Sequence, residues 1–325
     1  MEMLLNIVLL AVGFVFLVKG ADIFVDGSSN VARTFHVPSL VIGLTIVAMG
    51  TSFPELAVSS VAAVQGSNEI ALSNVIGSNL FNLLMVLGLS AVIRRLPVEK
   101  NVIIRDFPLF IVSTVFVFFF VAAGYLPFKF AGMDMSANTG TLIRPASIVL
   151  IIAFVVYFVY LIFDARKNPA EPETEAQIPL WKCALMIVFG AALIILGGQA
   201  VVNSAKFIAS AMGLTETLIG LTVVAVGTSL PELVTSMVAC RKGETGLAVG
   251  NAVGSNIFNV MLILGVSCTI RPITANVASL WDTLILIGAG LLTWACAATR
   301  RSIGRLEGII MALCYVGTIV FAIIR

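Results

Sequence analysis

Residues 42–56 read IGLTIVAMGTSFPEL, and residues 219–233 read IGLTVVAVGTSLPEL. Twelve of the fifteen positions are identical, at an offset of 177 residues. Both stretches are apolar enough for a bilayer, yet each carries two hydroxyls, a proline and a carboxylate. A second pair of blocks keeps the same offset: residues 74–82, NVIGSNLFN, and residues 251–259, NAVGSNIFN. The chain therefore repeats itself, and the rest reads as scaffolding that brings the copies together.

Composition sets the solvent. The 325 residues are 59% hydrophobic and 11% charged, with a mean hydropathy of +1.09; soluble domains carry about 25% charged residues. Crossing the bilayer takes about 20 apolar residues per helix. Ten such runs are present, at about 4–20, 38–64, 70–92, 107–125, 142–163, 181–199, 216–240, 246–268, 278–297 and 304–324. The first lacks a basic leader, since Glu2 is acidic, so it reads as a membrane helix rather than a signal peptide. The five cysteines are scattered singly and suggest neither disulfides nor a metal site. Nothing in the charge pattern points to nucleic acid.

Residues 164–179, DARKNPAEPETEAQIP, are polar and proline-rich, as a solvated linker should be. They divide the chain into a first unit, 1–163, and a second, 180–325. Lys and Arg concentrate on cytoplasmic loops. With both termini outside, 14 of the 19 basic residues fall on inner loops and 5 on outer ones. Five spans per half is an odd number, so the second half enters the membrane upside down. The expected fold is an all-α integral membrane protein of ten transmembrane helices, arranged as two inverted five-helix repeats, a plan common among secondary transporters.

The repeated blocks carry the chemistry. Pro54 and Pro231 lack an N–H and crowd the preceding turn, so each should break its helix. Carbonyls exposed in mid-membrane must then face protein or water. Thr51 and Glu55 are four apart and share a helix face, as do Thr228 and Glu232. Ser78 with Asn82, and Ser255 with Asn259, add oxygens at the same spacing. All of these are hard oxygen ligands, suited to Ca²⁺ and Na⁺ and not to Zn²⁺ or Cu. Two intramembrane carboxylates with no nearby Lys or Arg need a cation or protons. One Ca²⁺ or two Na⁺ would balance them, so rival ions exclude one another, as exchange requires. For each of Asn74, Asn251, Asn79 and Asn256 both readings stay open, ion contact and interhelical hydrogen bonding. Asp22 and Asp26 read as interfacial, since the second half has Gln199 and Asn203 in their places.

GTSxPE twice with GSNxFN twice resembles the α-1 and α-2 repeats of the sodium/calcium exchanger family, within the Ca²⁺:cation antiporter superfamily. On this resemblance the α-1 block covers residues 42–82 and the α-2 block 219–259. It implies that Glu55 and Glu232 coordinate Ca²⁺. It also implies that Thr51, Ser52, Thr228 and Ser229 line the Ca²⁺ and Na⁺ sites, with backbone carbonyls of Ala48 and Ala225 as ligands. Ser78 and Ser255 then match serines of flanking Na⁺ sites, and Asn82 a central polar position. Several relatives carry Asp where this chain has Asn259, and an acid there accompanies K⁺ dependence. Asn at both 82 and 259 therefore favours K⁺-independent exchange.

The expectation is a secondary antiporter of the cell membrane that moves Ca²⁺ against Na⁺ by alternating access, electrogenic, without cofactor or obligate protein partner, and not an enzyme. The nearest alternative is a Ca²⁺/H⁺ antiporter, in which the same glutamates titrate. A channel would need a continuous pore lined by rings of ligands.

Overall fold

The computed structural model describes residues 2–66, 68–124, 135, 137–169, 178–213 and 225–324. It is almost wholly helical. Among the described residues, eight helices are long and apolar enough to cross a membrane: α1 (Glu2–Phe35), α4 (Ile70–Ile93), α5 (Val102–Ala122), α6 (Arg144–Lys167), α7 (Leu180–Ala211), α10 (Thr245–Ile270), α11 (Val277–Arg300) and α12 (Arg305–Ile324). A bent pair, α2 (Ser39–Thr51) and α3 (Phe53–Gln65), which meet at 48°, is long and apolar enough when taken together. Of the seventh expected span, 216–240, the described part comprises α8 (Ala225–Thr228) and α9 (Leu230–Lys242); the start of its repeated block lies outside the described residues.

Several boundaries differ from the apolar runs. The first helix does not stop near residue 20 but continues to Phe35, because its inner turns are held by protein on one side and the polar residues there find partners. α6 runs on to Lys167, into the expected linker, of which residues 170–177 lie outside the description. The bent pair breaks at Ser52 (φ −90°, ψ 8°), and Pro54 sits in the first turn of α3. There its missing N–H is one that no helix would use. The proline starts a helix rather than kinking one.

Burial separates two layers. α1, α7 and α12 are mostly lipid-facing, whereas α4 and α10 are about three-quarters buried. Small residues allow the inner contacts. A Cβ on Gly43 would lie 2.5 Å from the Leu247 carbonyl oxygen and 2.9 Å from the Gly250 Cα. α2 thus packs backbone to backbone on α10, the close approach typical of helices in lipid. α1 and α7 cross antiparallel in the same way, Gly13 meeting Gly197 and Gly20 meeting Gly190. Shifting either pair by 177 positions returns the other pair, so the crossing is two-fold in sequence as well as in space.

Two short antiparallel ribbons join the halves. β1 (Leu96–Pro97) pairs with β4 (Ser302–Ile303), and β2 (Asn138–Leu142) pairs with β3 (Ile273–Asn276).

Candidate cation site

The site lies where the two bent segments meet. Glu55 begins α3 and Glu232 begins α9, each one residue after a proline and three after a helix break. Both are fully buried, as are Ser52, Ser229, Asn82, Ser255 and Asn259, while Ser78 and Thr51 are 1% exposed. The carboxylates are held crosswise. Ser52 Oγ donates to Glu232 Oε1 at 2.7 Å, and Ser229 Oγ donates to Glu55 Oε1 at 3.2 Å. The second oxygen of each carboxylate, Oε2, has no hydrogen-bond partner. Among the described residues no Lys or Arg pairs with either.

The repeated blocks carry further unpartnered polar atoms. The hydroxyls of Ser78, Ser255 and Thr228, the Asn259 Oδ1 and both side-chain polar atoms of Asn82 are buried without a bond. Such groups cost free energy unless something satisfies them. An oxygen-ligated cation does that for the hydroxyl and carbonyl oxygens and for the two free carboxylate oxygens together. The residues present fit Ca²⁺ or Na⁺, which take oxygen ligands in flexible shells.

The structure refines the expected roles. Thr51 and Glu55 do not act together across one helix face, because the break at Ser52 falls between them. Thr51 Oγ1 instead donates to Asn251 Oδ1 across the halves, at 3.0 Å. The Ala48 carbonyl accepts the Ser52 N–H at 3.0 Å and the Thr51 hydroxyl at 3.3 Å. Ala225 opens the short helix α8. Asn74 and Asn251 both make interhelical hydrogen bonds. Asn74 Nδ2 donates to Ser59 Oγ at 2.9 Å and to the Glu55 carbonyl at 3.5 Å. Asn251 Nδ2 donates to Ser236 Oγ at 2.9 Å and to the Glu232 carbonyl at 3.3 Å. Each asparagine thereby fixes the turn that carries a glutamate. Asn79 accepts from Asn259 Nδ2 at 3.1 Å. Ser59 and Ser236 were missed as site-supporting residues, although they too are related by the 177-residue offset.

A separate ionic network was also missed. Asp106, fully buried, takes Arg105 Nε at 2.6 Å and the Tyr157 hydroxyl at 3.0 Å, while Arg105 also donates to Asp164 at 2.8 Å. It ties the start of α5 to α6, away from the glutamates.

Fold and site together define an integral membrane protein with a buried, oxygen-lined, doubly acidic centre between two repeated motifs. The sodium/calcium exchanger protein family model matches residues 5–163 and 182–324, and the chain belongs to that family. It is 36% identical to the putative antiporter CaxA of Alkalimonas amylolytica, over 97% of this chain and 98% of the relative. It is 32% identical to the sodium/calcium exchanger MaX1 of Methanosarcina acetivorans, over 97% of each chain. The structure resembles that of the sodium-calcium exchanger NCX_Mj soaked without Na⁺ and Ca²⁺, with a TM-score of 0.81, 30% identity, and coverage of 97% of this chain and 98% of that one.

Proposed function

We propose that this chain exchanges Na⁺ for Ca²⁺ across the cell membrane by alternating access, independently of K⁺ and with net movement of charge. The observation that carries the reading is the crosswise pair Ser52–Glu232 and Ser229–Glu55, which leaves one free carboxylate oxygen on each glutamate. Two negative charges so placed are balanced by one Ca²⁺ or by Na⁺ ions, and repulsion between cations keeps them from sharing the centre. Glu55 and Glu232 are the shared ligands. Thr51, Ser52, Thr228, Ser229, Ser78, Ser255, Asn82 and Asn259, with the carbonyls of Ala48 and Ala225, complete the Ca²⁺ and Na⁺ positions. Relatives named as sodium/calcium exchangers support Na⁺ as the counter-ion.

In this reading the chain has ten spans in two inverted five-helix repeats, 1–163 and 180–325, joined by a linker at 164–179, with both termini outside. The two-fold crossing of α1 and α7 supports the inversion. So does the clustering of Arg95 with Ser302 at one end of the molecule, and of Arg144 with the Thr269 and Ile270 carbonyls at the other. α1 and α7 slide as a pair over the more buried helices and open the site to each side in turn.

The test is Ca²⁺ uptake into proteoliposomes loaded with Na⁺ and diluted into Na⁺-free medium, beside choline-loaded vesicles, with equal pH and a proton ionophore. Uptake confined to the Na⁺-loaded vesicles supports the proposal. Uptake driven only by an acid interior, once the ionophore is omitted, assigns the protein to proton coupling instead.

A further inference from the structure

The two halves share most of their polar wiring, and one departure is confined to a single end of the molecule. Some wiring there is common to both halves. Gly243 ends α9 with φ 90°, and Gly66 ends α3 with φ 83°, a conformation glycine adopts freely. Arg94 lies against the first and Arg271 against the second, again related by 177 positions. A cation beside a helix C-terminus is favourable in both places.

At the Gly243 end there is more. Lys242 Nζ reaches Asp22 Oδ1 and Asp26 Oδ1 at 2.7 Å each, and the Asp22 carbonyl at 3.0 Å. Arg33 reaches Glu244 Oε1 at 2.9 Å. Asp22, Asp26 and Arg33 belong to α1, with the two aspartates one turn apart on one face. Lys242 closes α9, and Glu244 lies in the turn before α10. The 177-residue offset carries Asp22, Asp26, Arg33, Lys242 and Glu244 onto Gln199, Asn203, Ser210, Gln65 and Ser67. Every charge in the set is lost. The α1–α7 crossing is symmetric, but among the described residues charge fastens only its Lys242 end to the glutamate-bearing segment.

We propose that Lys242 with Asp22 and Asp26, and Arg33 with Glu244, form a one-sided ionic latch that biases alternating access toward the state closed at the Lys242 face. This rests on the exchange reading above. The latch joins the helix that slides to the segment that carries Glu232, so opening at that face must part these ion pairs. Its residues are half-exposed, Lys242 at 26% and Asp26 at 49%. Exposed pairs are individually weak and screened by salt. That strength suits a bias that yields in every cycle rather than a lock. On the proposed orientation the latch is cytoplasmic.

The experiment reconstitutes the full chain in vesicles of determined orientation and measures half-saturating Ca²⁺ at each face. Compared with wild type, Lys242→Gln with Glu244→Gln should lower the half-saturating Ca²⁺ at the Lys242 face about threefold, with no fall at the other face, because apparent affinity scales with the population of the competent state. Installing the set on the opposite end, by Gln65→Lys, Gln199→Asp and Asn203→Asp in otherwise wild-type protein, should produce the same fall at the same face. Impermeant choline salt added at the Lys242 face of unaltered protein should mimic the first variant without any substitution. A fall at both faces, or at neither, with exchange intact overturns the latch. Absence of Na⁺-driven exchange in the wild type overturns the underlying reading instead.

Discussion

The hydroxyl of Ser52 lies 2.7 Å from the carboxylate of Glu232, 180 residues away in the chain, and Ser229 returns the same bond to Glu55. Neither half of the protein owns a complete site. Each supplies the carboxylate that the other half's serine orients.

Removing a carboxylate should therefore do more than removing an orienting group. Glu55→Ala and Glu232→Ala are expected to abolish Na⁺-driven Ca²⁺ uptake in proteoliposomes, whereas Asn82→Ala should only weaken it. Full uptake through Glu55→Ala would remove the glutamates from the transport path.

Ser52→Ala should fall between these extremes. A hydrogen bond to a charged group is worth about 1.5–3 kcal/mol, so Ca²⁺ affinity should drop on the order of tenfold or more. Ser229→Ala, which loses the longer bond, should cost less. Isothermal titration of the purified protein with Ca²⁺ orders the two.

Asn251 holds three groups, the Glu232 carbonyl, Ser236 and Thr51, while Asn74 holds Ser59 and, at greater length, the Glu55 carbonyl. Asn251→Ala should destabilise the protein by about 2–4 kcal/mol, since each buried group left unpaired costs about 1–3 kcal/mol. Asn74→Ala should be milder. Thermal unfolding in detergent measures the difference, and equal losses would contradict the unequal bonding.

Arg105→Leu strands Asp106 and should cost about 3–5 kcal/mol, the usual penalty for breaking a buried pair from one side. Arg105→Leu combined with Asp106→Leu should recover much of that loss, with the melting temperature as the readout. A double variant no more stable than the single one would show that the network does more than neutralise Asp106.

Much of the site was legible because the repeat is so regular. The 177-residue offset relates Glu55 to Glu232, Ser52 to Ser229 and Ser78 to Ser255, and every one of these is buried at the centre. Position was harder to read than identity. Nothing in GTSFPEL reveals that the break falls at Ser52 and that Pro54 begins a helix, because a proline disrupts an upstream turn and initiates a downstream one equally well. The π-helical turns at Gly43–Val47, Phe81–Val86 and Phe258–Ile263 are equally silent in the sequence, since they answer to packing rather than propensity. α1 outran its apolar stretch because Asp22 and Asp26 find Lys242, a partner that no local pattern announces. The Asp106 network escaped for the same reason: Arg105 looks like any basic residue at a membrane edge until α6 brings Asp164 and Tyr157 beside it.

The β1–β4 ribbon carries a consequence for biogenesis. Leu96 leaves the ribosome well before Ile303, its partner across the ribbon. Until the second half follows, the first half has Glu55 without Ser229 and both β1 and β2 without their partner strands. The nascent chain is thus incomplete at its centre until α9 is made and at its rim until β4 is made, and a chain truncated directly after β3 has no strand to pair with β1.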